Sequence, residues 1–141
     1  MPEAAHRVFL DANVLYSVAY GSPRISCLWD LARSGRCRLL ASPYVVEEAR
    51  RNLDDAAQRG RLDAALQDVE QVAEPPPGLT CPVPLPAKDR SVLLAALGAH
   101  ATHLVTGDLL HFGAWHGRST VGIRVCTPGQ YVADALRRSM G

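Results

Sequence analysis

The sequence predicts an α/β fold, a parallel sheet sandwiched between helices, and three observations predict it. Short apolar runs alternate with longer stretches of helix formers from one end of the chain to the other. Ser-Pro, Thr-Pro and Gly punctuate the changeovers, as helix starts and stops do. The segment AKDRSVLLAALGAH, 87–100, carries apolar residues around most of its circumference, as expected of a deeply packed helix.

Taken in order, Val8-Phe9-Leu10 belongs to a short buried strand over 7–10, and Asp11-Ala12-Asn13 leads into a helix over 13–20. Ser22-Pro23 opens a second helix, 24–34, which Gly35 stops. RCRLLAS, 36–42, is the next strand. Ser42-Pro43 then supplies an N-cap residue and a proline for the first turn of a helix running to about Leu53. Residues 54–73 are rich in helix formers, with a break expected near Gly60. PPPGLTCPVPLP, 75–86, holds six of the ten prolines and excludes helix. It reads as an extended connection, with one short edge strand around Leu79-Thr80-Cys81. After the helix 87–100 come the strands HLVT, 103–106, and GIRVC, 122–126, and Thr127-Pro128 starts a closing helix to Arg138.

With 141 residues, 48% of them hydrophobic, the chain has the size and composition of one domain with a genuine core. The net charge of +1 announces no polyanionic partner, so contact with nucleic acid would rest on local basic patches. No apolar stretch is long enough to span a membrane, and no basic region followed by an apolar run marks a signal peptide. Cys27, Cys37, Cys81 and Cys126 are scattered without a C-x-x-C, so they read as buried thiols rather than a disulfide framework or zinc site, in a reducing, cytosolic setting.

Ligands of open parallel sheets bind beyond the carboxyl ends of the strands. Asp11 directly follows the first strand. Asp108 follows HLVT after Thr106 and Gly107, which predicts both carboxylates on one edge of the sheet. The helix 87–100 returns into HLVT, a path that puts Lys88-Asp89 at roughly the opposite edge unless the helix packs steeply. Sequence geometry alone does not place Asp89. On a helical wheel Val45, Val46, Ala49 and Leu53 share one side, Glu47 points away one turn before Arg51, and Glu48 lies on the apolar border beside Asn52. A border carboxylate reaches into a cleft, which favours Glu48 over Glu47. Each acid also has a plainer reading. Asp11 and Asp89 suit helix starts, Asp108 suits a turn, and Glu48 suits a surface charge. Crowded together, they call for a cation, and hard oxygen ligands without His or Cys suit Mg²⁺ or Mn²⁺.

The motifs VFLDANVL, SPYVVEEARRNL and DRSVLLAALGAHATHLVTGDLLHF together resemble the PIN-domain family, the nuclease fold of many ribonucleases and of VapC-type toxins of toxin–antitoxin systems. They correspond to the family's opening strand with D-x-N, its Ser or Thr followed by an acid about six residues on, and its acid-led helix, apolar strand and T-x-D loop. The resemblance spans about residues 7–131. It implies a PIN-like three-layer α/β/α sandwich with a central, mostly parallel sheet, and a single domain over 1–141. It also implies an acidic quartet of Asp11, Glu48, Asp89 and Asp108, supported by Asn13 and Thr106, and it alone brings Asp89 into the site. One departure stands out. Leu109, Leu110 and His111 occupy positions where some relatives carry a further acid, which bears on a second metal ion.

The implied activity is RNA phosphodiester hydrolysis assisted by Mg²⁺ or Mn²⁺. Arg50, Arg51, Arg59 and Arg61 beside Glu48, and Lys88 and Arg90 around Asp89, are candidates for substrate phosphates or for a solvated helix face. His111 and His116, in the loop after Asp108, show no zinc spacing. The short chain favours a toxin with a cognate antitoxin, commonly as a homodimer, over an RNA-processing nuclease. A binding module on a degenerate PIN fold is the alternative, weakened by the complete quartet. A phosphotransferase using Asp11 as nucleophile lacks its general acid, because Asn13 stands where that chemistry needs Asp.

Overall fold

The computed structural model describes residues 5–82, 84–107, 118–120 and 122–140. Its centre is the strand β1 (His6–Leu10), in which Val8, Phe9 and Leu10 are fully buried. Burial on both faces is what a continuous apolar run in a parallel sheet requires. The remaining strands are β2 (Cys37–Ala41), β3 (Val69–Gln71), β4 (His103–Val105), β5 (Arg118–Thr120) and β6 (Ile123–Cys126), in the order β3-β2-β1-β4-β6-β5. All pairings are parallel except β5 with β6. The helices are α1 (Ala12–Ala19), α2 (Pro23–Arg33), α3 (Pro43–Arg51), α4 (Ala56–Leu66), α5 (Ala87–Gly98) and α6 (Pro128–Met140). This is the expected α/β/α sandwich with a mostly parallel sheet.

From β1 the chain steps outward to β2 and β3. From β4, hydrogen-bonded to the other side of β1, it steps the opposite way to β6. The carboxyl ends of β1 and β4 therefore flank a topological switch point, where departing connections diverge and leave a crevice.

Three expectations are corrected. The run 54–73 is not one helix. A capping box of Asp55 and Gln58 starts α4, which passes through Gly60 unbroken and ends at Leu66. The chain then turns into β3, pairing Val69 with Leu39. The unpaired edge of β2 overrides the helix-forming character of residues 69–71. Leu79-Thr80-Cys81 forms no strand; the proline-rich connection around it lacks the N–H groups a ladder needs. All four cysteines are free thiols, but only Cys37 and Cys126 are buried as expected; Cys81 is partly exposed and Cys27 exposed. Among the described residues no helix is long and apolar enough to cross a membrane.

The amino edge of the sheet is closed by a hydrogen-bonded cluster. The Arg138 guanidinium lies 3.1 Å from His6 Nε2 and can only donate, so Nε2 accepts and the ring proton sits on Nδ1. From there it reaches Tyr131 Oη at 3.0 Å, tying α6 to the start of β1. His103 stacks against His6 with ring centroids 4.5 Å apart. Burial first, then the neighbouring His6, Arg138 and Arg124, pushes the His103 pKa down to about 4. The fold thus favours the neutral ring. Stability is full above the unfolded-state value near 6.5 and is lost as pH falls from there toward 4. His103→Gln should flatten the decline in Tm over that interval. About 1–2 kcal/mol of acid destabilisation should disappear, after allowance for screening of a half-buried ring, as read by thermal melts across pH.

Candidate metal centre

Asp11 is placed by backbone and side-chain bonds together. Its N–H donates to Val105 O at 3.1 Å, extending the β1–β4 pairing by one residue. With φ −73° and ψ 161° it is the N-cap of α1, and Oδ1 accepts from Ala12 N at 2.8 Å. Oδ2 accepts from Thr106 Oγ1 at 2.8 Å and from Asn13 Nδ2 at 3.3 Å. Asn13 also donates to Thr106 Oγ1 at 3.1 Å, and its Oδ1 accepts from Gly107 N at 2.8 Å. The amide and the hydroxyl stitch the ends of β1 and β4 together around one carboxylate that is only 4% exposed. Burial raises the Asp11 pKa. Hydrogen bonds from Thr106 and Ala12 oppose the rise, and the charges of Asp89 and Glu48 add to it.

Glu48 arrives on α3, which buries Val45, Val46 and Ala49 against the core and leaves Glu47 exposed. Glu48 sits on the border, with a side chain 15% exposed. Asp89, in the first turn of α5, is 1% exposed. Asp11, Glu48 and Asp89 line one cavity of about 310 Å³, with Ala12, Asn13, Tyr16, Asn52 and Lys88. The expectation that α5 begins at the opposite edge is therefore wrong, for a simple reason. A helix that feeds the amino end of a parallel strand must first descend the sheet, so it starts at the carboxyl edge. Twelve residues at 1.5 Å each give α5 about 18 Å for that descent.

Tyr16 and Asn52 were not singled out from sequence. Helical spacing contained the signal, since Tyr16 lies three residues after Asn13 and Asn52 four after Glu48, whose carbonyl it binds at 2.9 Å. Asp108, His111 and His116 lie outside the described residues. Among the basic candidates only Lys88 lines the cavity, with Nζ 2.5 Å from Glu48 Oε1. Arg50 pairs with Asp63 at 2.8 Å. Arg59 donates to Leu53 O and Arg61 to Ala19 O, at helix C-termini. Arg51 and Arg90 are exposed, and Arg90 lines the neighbouring proline-rich groove.

A family profile described as PIN domain matches residues 7–110. No curated protein matches the chain by sequence. Two solved structures share the fold. One is the crystal structure of VapBC2 from Rickettsia felis bound to a DNA fragment from their promoter. It has TM-score 0.61 and 15% identity, covering 86% of this chain and 98% of that one. The other is the crystal structure of PAE2754 from Pyrobaculum aerophilum, with TM-score 0.60 and 18% identity, covering 94% of this chain and 90% of that one. A sandwich with carboxylates at its switch point defines a class of sheet-edge acid sites. The chain belongs to the PIN-domain family, a family of nucleases that generally use divalent metal ions.

The residues present fit such an ion. Glu48 Oε2 is buried and accepts no hydrogen bond, the environment in which a carboxylate oxygen calls for a cation. The lining offers oxygen donors and no Cys or His, as Mg²⁺ or Mn²⁺ prefers. Among the described residues no three His, Cys, Asp or Glu side chains already stand close enough to grip one ion.

The raised Asp11 pKa makes this carboxylate a burden on the metal-free fold. The folded state keeps its proton to higher pH than the unfolded state, so stability falls as pH rises above 3.8. In EDTA, the fall in Tm as pH rises from 3.8 toward neutrality should be smaller for Asp11→Asn than for the wild type, because the amide has no proton to lose, while its missing acceptor oxygen lowers the whole curve. Equal falls in the two proteins would contradict this electrostatic account.

Proposed function

We propose that the chain is a Mg²⁺- or Mn²⁺-dependent endoribonuclease, the toxin of a type II toxin–antitoxin pair. The observation that carries the reading is the meeting of Asp11, Glu48 and Asp89, from three separate elements, in one cavity at the switch point of the sheet. The family resemblance adds Asp108, two residues beyond Thr106 in sequence, as the fourth acid of the set. These carboxylates would hold the ion, which would supply Lewis-acid polarisation of the scissile phosphate and a lowered pKa for the attacking water.

The chain's own residues set the conditions for that chemistry. Asp11 is held in one orientation by the Ala12 N–H, Thr106 and Asn13, so little ordering remains to be done when the ion binds. Glu48 and Asp89 concentrate negative charge in a buried setting, which a dication relieves. Lys88 at the rim, with Arg51 and Arg90 on the flanking helices, meets the phosphates of an RNA strand, and Arg50 joins them if it leaves Asp63. The antitoxin partner is inferred from the fold shared with one chain of the VapBC2 structure, 98% of which is covered. A cytoplasmic homodimer is the form in which we place it.

Purified protein should cleave single-stranded or structured RNA with Mn²⁺ or Mg²⁺, leave DNA of the same sequence intact, and stop in EDTA. Asp11→Asn and Asp108→Asn should each lower the rate by about 10²-fold or more, and Thr106→Val by about 10–100-fold through loss of orientation. Absence of cleavage of every RNA with both metals would favour a binding module instead. The adjacent reading frame should encode a small DNA-binding protein that suppresses the cleavage when co-expressed.

A further inference from the structure

The acid pocket has a feature that helix energetics does not explain. Lys88 lies in the first turn of α5, where the helix dipole disfavours a cation. Yet its ammonium packs 2.5 Å from Glu48 Oε1 and lines the same cavity as Asp11 and Asp89. The Lys88 side chain is 54% exposed and the Glu48 side chain 15%, so the cation enters from solvent while the anion stays inside. Three carboxylates crowded in a low-dielectric cavity repel one another, and a cation at its mouth reduces that cost.

We propose that Lys88 is the built-in counter-ion of the acid pocket, neutralising it in the metal-free protein and withdrawing when a divalent cation binds. This rests on the reading of the pocket as a metal centre. A lysine ammonium is protonated at neutral pH, and here it stands 2.5 Å from a carboxylate oxygen, so the side chain arrives charged. An ammonium is a point charge on a flexible four-carbon stem, able to leave without disturbing the backbone. Its departure would free Glu48 Oε1 beside Oε2, which has no hydrogen bond, and so leave that carboxylate available to a cation. The released Nζ stays at the rim, where a substrate phosphate would approach. Metal loading is thus an exchange of one cation for another. Wild-type affinity is therefore lower than the carboxylates alone would give, and the empty pocket does not destabilise the fold as much as its charge would.

The test uses the full chain stripped with EDTA and titrated with Mn²⁺ alone, by calorimetry and by thermal melts. Lys88→Met should bind Mn²⁺ about three- to tenfold more tightly than wild type, the effect of removing a partly exposed ion pair of about 1 kcal/mol. Its metal-free Tm should be lower and its rise on adding Mn²⁺ larger. Lys88→Arg should bind as wild type does, and Arg90→Met, which removes a nearby charge outside the pocket, should change affinity by less than about twofold. In the unsubstituted protein, saturating Mg²⁺ should shift the Lys88 ε-methylene NMR signals, a readout that needs no variant to fold. Equal or weaker Mn²⁺ binding by Lys88→Met, tightening of the same size in Arg90→Met, or unmoved Lys88 signals would each overturn the proposal while leaving the metal centre standing. If no form binds Mn²⁺ or Mg²⁺, the metal centre itself falls, and the counter-ion role with it.

Discussion

The hydrogen bond from Thr106 Oγ1 to Asp11 Oδ2, 2.8 Å long and buried, joins two strand ends that lie far apart in sequence. Around it the β1–β4 pairing, the start of α1 and the floor of the acid pocket are all fixed at once. Asp11 is both the N-cap of α1 and a wall of the cavity, because a carboxylate has two oxygens and each meets a different need. Asn13 adds a second tie by accepting from Gly107 N, so the segment leaving β4 is held to the first turn of α1. A Cβ at Gly107 would stand 3.4 Å from Asn13 Oδ1, close enough that the amide would have to give way slightly.

Charge is the second constraint. Burying one carboxylate raises its pKa, and neighbouring carboxylates raise it further, so the pocket is a place of stored electrostatic cost. Proteins place such cost where a ligand relieves it. Here the lining relieves part of it internally, through Lys88, and leaves Glu48 Oε2 without a hydrogen bond. Three arginines near Glu48 serve the scaffold: Arg61 satisfies the Ala19 carbonyl at the end of α1, Arg59 binds the Leu53 carbonyl in the turn after α3, and Arg50 links α3 to α4.

Much of this was legible in the sequence. Alternation and Ser-Pro or Thr-Pro punctuation place β1, β2, β4, β6 and most of the helices within a residue or two, because buried parallel strands and capped helices leave strong local patterns. The position of Glu48 follows from helical phase, since the buried Val45, Val46 and Ala49 fix which way α3 faces. What local pattern does not carry is tertiary in origin. Residues 69–71 became β3 only because β2 offered an open edge, and β5 is a three-residue strand defined by its antiparallel partner. The placement of Asp89 failed in sequence reasoning for want of direction, not of chemistry: the direction of α5 relative to β4 decides which edge receives its first turn. Lys88 reads as a candidate phosphate contact or a solvated charge, and only the fold brings Glu48 beside it.

The two edges of the sheet divide stability and reactivity between them. At the amino edge, His6, His103, Tyr131 and Arg138 form a largely neutral, mutually satisfied cluster that ties the last helix to the first strand. The carboxyl edge carries the unrelieved charge. Such separation makes the scaffold permissive to change: substitutions that reshape the cavity draw on a reserve held at the far end, and substitutions that strengthen the far end lie away from the cavity's charges. The same sheet can therefore drift in specificity without first having to become more stable at the site that drifts.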